Sequence, residues 1–431
     1  MKNIGYTIKE RRRQLNMTQE ELADGIVTRS YLSRIESGVI NGSYDTLQKI
    51  AAKLNTSVEA LLAGPKNNEM QLTEVVRQVK MLANCVEEGR FEEAERILAR
   101  VKPHVSLHEL DDYARSLLYW SVGLLRAEQG RMQNAKRLLQ KSINVLSDKQ
   151  EEIYVERRLV SQISLADILL KLEHHYDALA LLQEAYTVSS TEQISAKHKI
   201  YLLLCLGIAH GKFREYYSAV KYLNEACALS DASGIYYKTG HINMALGICN
   251  RKLENDTEAE INYNRALNFF SLAHDTKNIA AVKHNLGMLL GMRGEVEQAE
   301  AYFESSMALF KELDHGEEYL KTKLALAQMY VVQDNIVAAQ KVCQDIMNQD
   351  SPYTSHLIEA YQTLGDTYMH TGDMAQAHHA YTQGKVLSHH VKDHNRERQL
   401  TLALAHCLYK QGKFEEAARH YYDSTEPHFL P

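Results

Sequence analysis

The chain has 431 residues, of which 24% are charged and 45% hydrophobic, with a formal net charge of −6. That balance excludes a disordered polyampholyte and a uniformly basic coat, and no apolar run reaches membrane-spanning length. The N-terminus carries Lys2, Lys9 and Arg11 where a secretory signal would need an apolar stretch.

In chain order the first element is a basic helix in "IKERRRQLN". Next, Thr18 and Glu21 stand at capping-box spacing ahead of an apolar stripe of Leu22, Ala23 and Ile26, and Gly25 lets the chain leave that helix. Thr28 is a second N-cap. It opens a helix whose Leu32 and Ile35 face inward while Arg29, Ser30 and Arg34 face outward as hydrogen-bond donors, with Tyr31 beside them. Two short helices so arranged form a helix-turn-helix, which places its second helix in the DNA major groove. Leu47, Ile50, Ala51 and Leu54 mark a fourth helix, and Val58, Leu61 and Leu62 a fifth, the latter expected to start from a capping box at Thr56 and Glu59. Residues 1–64 hold nine Lys/Arg against seven Asp/Glu, leaving 40 against 48 for the rest, so the cationic bias is confined to this head.

Over residues 1–64 the sequence resembles the Xre/phage-repressor helix-turn-helix family through Thr18-Gln19-x-x-Leu22-Ala23 and Ser30-Tyr31-Leu32-Ser33-x-Ile35-Glu36-x-Gly38. The resemblance implies DNA binding through Gln19, Arg29, Ser30, Tyr31 and Arg34, with Gln19 on a phosphate, and a structural ion pair between Arg12 and Glu36. The connection from Ala23 to Arg29 is one residue shorter than the commonest family form.

Residues 65–70 read as a linker, and residues 71–431 as one repeat domain. Gly89, Gly130, Gly294, Gly372 and Gly412 each precede an Ala by five residues, and looser copies keep the same alanine, giving Ala94, Ala135, Ala178, Ala219, Ala259, Ala299, Ala339, Ala377 and Ala417. Twelve residues before most of these lies another small residue: Gly123, Ala166, Gly207, Gly247, Gly287, Ala327, Gly365 and Ala405. This is a tetratricopeptide-like pattern with a period of 38 to 43 residues. It predicts an all-α chain, a five-helix head followed by a right-handed superhelical solenoid of about nine helical hairpins. The first helix of each hairpin would line a concave groove.

Enzyme signatures are missing from the sequence: there is no glycine-rich phosphate loop, nucleophile elbow or HExxH. The six cysteines are dispersed and contain no CxxC, so they read as small core residues, and neither a metal nor another cofactor is expected.

A head of this type joined to such repeats resembles the RRNPP regulators, most closely their NprR- and PlcR-like branch. That resemblance implies a cytoplasmic, homodimeric quorum-sensing transcription factor that binds double-stranded DNA and a short signalling peptide. Positions −6, −3, −2 and +1 from each small Gly or Ala should face the peptide: His241 before Gly247, His284 and Asn285 before Gly287, Lys321 and Gln328 around Ala327, and Gln362 and Asp366 around Gly365. Family members use inward asparagines on the peptide backbone, which favours Asn285, with Asn250 as a substitute where Ala245 takes the equivalent offset. Two other functions fit the same outline: an antagonist of the Rap kind that grips a response-regulator protein, or a repeat-based adaptor between proteins.

Overall fold

The computed structural model describes residues 4–15, 17–63, 72–192, 194–348 and 353–425. All regular structure among them is helical. The chain divides into two compact units, Met1–Ser161 and Gln162–Pro431. The division falls inside a helix of the repeats, well past the linker expected at 65–70, which lies outside the described residues.

The head contains α1 (Ile4–Gln14), α2 (Gln19–Ala23), α3 (Arg29–Glu36), α4 (Tyr44–Lys53) and α5 (Val58–Ala63). Ile8, Leu22, Leu32, Ile35, Ile50 and Leu54 are fully buried together, as the apolar periodicity of each short helix requires. Gly5 lets α1 lie directly on the backbone of α3, where any side chain would collide with the Ile35 carbonyl. One expectation is corrected: α5 starts one residue late. Its first intrahelical bond runs from Leu61 N to Ser57 O at 3.0 Å, and Glu59 bonds Ser57, so Ser57 rather than Thr56 caps the helix. Adjacent Thr and Ser offer the same capping chemistry, and the backbone chose the second.

Nine hairpins follow among the described residues. In the first unit they begin with α6 (Leu72–Glu87) and α7 (Phe91–Val101), then α8 (Asp112–Glu128) and α9 (Met132–Asn144). Helix α10 (Glu152–Lys171) carries the division and is followed by α11 (His175–Thr191). The second unit continues with α12 (Ala196–Lys212), α13 (Tyr216–Ser233), α14 (Thr239–Lys252), α15 (Asp256–Leu272), α16 (Thr276–Met292) and α17 (Val296–Glu312). It ends with α18 (Gly316–Val332), α19 (Ile336–Met347), α20 (Thr354–Thr371), α21 (Met374–His390), α22 (His394–Lys410) and α23 (Phe414–Thr425).

The small-residue ladder explains the pairing. All nine repeat alanines are buried, and Gly123, Gly207, Gly247, Gly287 and Gly365 on first helices each receive a bulky side chain from the second, Leu139, Leu223, Tyr263, Phe303 and Tyr381 in turn. A Cβ at Gly247 would stand 2.5 Å from the Tyr263 ring, and one at Gly287 would stand 2.9 Å from Phe303. Where the first helix has Ala327 instead, its cluster contains the smaller Cys343. Volume is thus conserved across the pair.

The turn between the two helices of every hairpin places one residue at positive φ. It is glycine at Gly89, Gly130, Gly294, Gly372 and Gly412, but Glu173, Arg214, Glu254 and Asp334 adopt the same left-handed conformation in the remaining four. In the second unit successive first helices also pack on one another, α12 on α14, α14 on α16, α16 on α18 and α18 on α20. They form a continuous wall.

Candidate functional site

The head presents its donors on one face of α3. Thr18 Oγ1 accepts the Glu21 N–H at 3.1 Å, and the Glu21 carboxylate takes the Thr18 N–H at 2.6 Å, so α2 begins with a complete capping box. Those hydrogen bonds hold the Glu21 carboxyl below its usual range. Gly25 then turns at φ +70°, and Lys53 Nζ donates to the Asp24 carbonyl at 2.7 Å, tying the turn to α4. Helix α3 starts where Thr28 Oγ1 accepts the Tyr31 N–H at 3.2 Å. With Leu32 and Ile35 fully buried beneath, Arg29, Ser30, Tyr31 and Arg34 all lie exposed on the outer face. Four of the five expected DNA ligands therefore share one accessible surface.

Gln19 does not stand with them. Its half-buried amide Nε2 donates to Glu36 Oε2 at 2.7 Å, joining the ion pair of Arg12 and Glu36. Arg12 approaches Glu36 with Nε at 2.7 Å and Nη2 at 3.0 Å, and its Nη1 holds the Met17 carbonyl at 2.7 Å. Hydrogen bonding to Glu36 raises the Arg12 pKa further above its ordinary value. A buried carboxylate needs several donors, and Gln19 supplies the one that Arg12 leaves open. The side chain assigned to a phosphate thus braces α2 against α3.

On the repeat wall, two clefts adjoin. One, of about 430 Å³, is lined by Gln328, Val331 and Val332 of α18, Glu359, Gln362, Thr363 and Asp366 of α20, and Arg396 of α22. Arg396 pairs with Glu359, and Asp366 accepts the Tyr381 hydroxyl at 2.6 Å. A second cleft, of about 170 Å³, is lined by Met288, Met292, Met329 and Val332 among others. Gln328 and Val332 belong to both.

Of the expected peptide residues, Gln328, Gln362 and Asp366 meet here, at the offsets read from the sequence. Positions +4 and +5 also line the clefts, as Val331, Val332 and Met292, and sequence reasoning missed them. Only the structure marks them, through apolar residues left exposed at a repeated position: Val332 is 72% and Met292 59% exposed.

The other residues are placed differently. Asn250 is buried and donates to its own Leu246 carbonyl at 3.1 Å, because offset +3 turns it toward the hairpin bend rather than the wall. His241 packs edge-on against Phe270 at 5.0 Å, and burial, with Lys238 nearby, pushes its pKa down to about 4. Burial likewise pushes His284 down to about 4, with Lys321 adding repulsion, and its ring meets Phe303 edge-on. His284 Nδ1 lies 3.1 Å from Thr322 Oγ1, whose own hydrogen goes to the Glu318 carbonyl, so Nδ1 carries the ring proton. Both histidines are neutral packing groups between helices. Asn285 is half-buried and donates to the Ala281 carbonyl at 3.0 Å, and Lys321 is exposed.

Comparison with known proteins agrees with this build. The helix-turn-helix family matches residues 8–61, and tetratricopeptide repeat families match residues 238–312, 358–384 and 398–421. The chain is 23% identical over 323 residues to the transcriptional activator NprA of Geobacillus stearothermophilus, covering 73% of this chain and 74% of that protein. Its fold is similar to the apo form of the quorum sensor NprR from B. thuringiensis, with a TM-score of 0.59 and 15% identity over 82% of this chain and 98% of that one. NprR in complex with its cognate peptide NprX is similar at a TM-score of 0.50 and 14% identity, covering 73% of this chain and 88% of that one. These likenesses are to regulators, and the chain joins a helix-turn-helix head to tetratricopeptide repeats.

Proposed function

We propose that this chain is a cytoplasmic quorum-sensing transcription regulator, with residues 1–64 binding operator DNA and the repeats from residue 71 onward sensing a short peptide and joining two copies. The observation that carries the reading is the outer face of α3, where Arg29, Ser30, Tyr31 and Arg34 stand exposed over a helix pinned by Leu32 and Ile35. Arginine can bond guanine O6 and N7 with two donors, and one such contact discriminates by about 1–3 kcal/mol. A single head offers few of these, which favours a dimer on two half-sites. The peptide would lie along the wall at Gln328, Gln362 and Val332, where polar groups that can hold a backbone adjoin exposed apolar surface.

Selection of duplexes from a random pool by the full-length protein tests the reading. Two copies of one short motif at a fixed spacing should be enriched, and Arg29→Ala with Arg34→Ala should abolish the enrichment. A pool that stays random with the unaltered protein would remove the DNA-binding assignment.

A further inference from the structure

Helix α9, in the second hairpin, carries a surface that neither the head nor the groove uses. Its sequence from Met132 to Asn144 contains no Asp or Glu. At 100° per residue, Gln133, Lys136, Arg137, Gln140 and Lys141 share its solvent side, while Ala135, Leu139 and Ser142 point into the hairpin. These residues, with Asn134, Leu138 and Arg126 of α8, line a cleft of about 610 Å³. Arg126 is shared with Glu95 at 3.4 Å. Among the described residues, Lys136, Arg137 and Lys141 pair with no carboxylate; Lys141 lies 5.8 Å from the Tyr119 ring. Of the nine second helices, α9 alone combines three Lys/Arg with no acid. In residues 65–431, which hold 40 basic against 48 acidic residues, an acid-free basic face is not the average surface.

The charged groups of this face, and all its amides through their N–H, donate hydrogen bonds. The partner it fits is a polyanion with closely spaced acceptor oxygens. Arginine, lysine, asparagine and glutamine are among the side chains that bond nucleic-acid phosphates, contacts that carry no sequence information. Lys136 and Lys141 are separated by five residues, about 7.5 Å of helix rise, and duplex DNA offers one charge per about 1.7 Å of its axis, so several phosphates are within reach at once. The head itself is only weakly cationic, nine basic against seven acidic residues, although phosphate neutralisation supplies much of DNA affinity. Eight residues, 64–71, join α5 to α6, at most about 28 Å of extended chain, which keeps the first hairpins near any DNA the head holds.

We infer that the basic face of α9 is a second, sequence-independent DNA contact that clamps the phosphate backbone beside the site held by the head. The inference rests on the DNA-binding reading of the head, and the test separates the two. Fluorescence anisotropy of the full-length protein on a labelled 30-base-pair duplex of mixed sequence would be followed from 50 to 200 mM salt, for the unaltered chain and for Lys136→Gln/Arg137→Gln/Lys141→Gln. All three changes lie on a solvent face, and circular dichroism checks that helix content is kept. The triple variant should bind on the order of 10- to 100-fold more weakly at 100 mM salt, with the slope of log K against log salt shallower by about 2 to 3. Arg29→Ala/Arg34→Ala should retain the part of the slope that α9 supplies. An unchanged slope in the triple variant, with the unaltered chain binding normally, overturns the α9 contact and leaves the head reading standing. Absence of duplex binding by the unaltered chain overturns both. Capture of polyglutamate by the unaltered chain but not the triple variant, with DNA affinity equal in the two, assigns the face to an acidic protein and overturns the inference.

Discussion

Arg12 and Glu36, one on α1 and the other at the end of α3, close a two-pronged ion pair inside the head at 2.7 and 3.0 Å, with Glu36 only 6% exposed. Removing one partner of a buried pair strands the other charge, which typically destabilises by about 3–5 kcal/mol. A head of some sixty residues has little reserve against that loss. Glu36→Ala should therefore unfold the head while the repeats stay folded. Hydrogen exchange should report full exposure of α1 to α3 with α12 to α23 protected. Gln19→Ala removes a single donor from the same carboxylate and should cost about 1–3 kcal/mol. A Gln19→Ala head as stable as the unaltered one would show that its bond to Glu36 contributes nothing.

The two packed histidines predict an acid-sensitive repeat array. Both His241 and His284 are pushed down to about 4 from an ordinary value near 6.5, chiefly by burial. Between those values the unfolded chain binds protons that the folded chain refuses, so stability is complete above pH 6.5 and is lost as pH falls toward 4. Each histidine contributes up to about 1.4 kcal/mol per pH unit in that window. Thermal melts at pH 7 and pH 5 should show a clear drop for the unaltered protein. The drop should shrink in His284→Gln, which cannot titrate. A drop of equal size in that variant would assign acid sensitivity to other groups.

The left-handed hairpin turns make a third measurable case. Arg214 at φ +62° and Asp334 at φ +59° occupy the position where other repeats have glycine. An L-residue held there costs about 1–2 kcal/mol, against about 0.5–1 kcal/mol of chain entropy that glycine loses on folding. Arg214→Gly should therefore raise stability slightly, by at most about 1.5 kcal/mol. Gly294→Ala, at φ +81°, should lower it. Denaturant unfolding of both variants measures the signs, and a destabilised Arg214→Gly would mean that the arginine side chain contributes more than the turn strain removes.

These turns also show where the sequence was legible. Five repeats stood out because glycine marks a backbone that needs positive φ, whereas Glu173, Arg214, Glu254 and Asp334 meet the same need with nothing in their side chains to announce it. The small-residue ladder was readable because close helix approach leaves no choice of volume, as Gly287 against Phe303 demonstrates. The outer face of α3 followed from helical period alone. Gln19 did not, since an amide can serve a phosphate or a buried carboxylate equally well, and only the position of Glu36 decides. Val332 and Met292 were invisible as groove residues because apolar side chains on a helix look like core until the packing of the wall leaves them uncovered, and the half-buried Val331 beside them gave no sign either.

The geometry of the wall reorders the residues expected to hold the peptide. Asn285 has one amide hydrogen engaged with the Ala281 carbonyl of its own helix, and it is half-buried. Gln328 is exposed, makes no hydrogen bond among the described residues, and borders both clefts beside Val332. It can offer a donor and an acceptor to one peptide unit without first breaking a bond. A ligand that uses the groove gains from Gln328 on its backbone and from Val332 and Met292 on an apolar side chain. Gln328→Ala should leave peptide groups unsatisfied at about 1–3 kcal/mol, a five- to hundredfold loss of affinity. Val332→Asp should weaken binding further by placing a charge against the apolar side chain. Asn285→Ala should have the smaller effect. Peptide recovered with the protein from its own cells and identified by mass spectrometry supplies the titrant, and calorimetry supplies the ranking. A larger loss at Asn285 than at Gln328 would move the peptide toward α16, and equal affinity in all three variants would remove it from this wall.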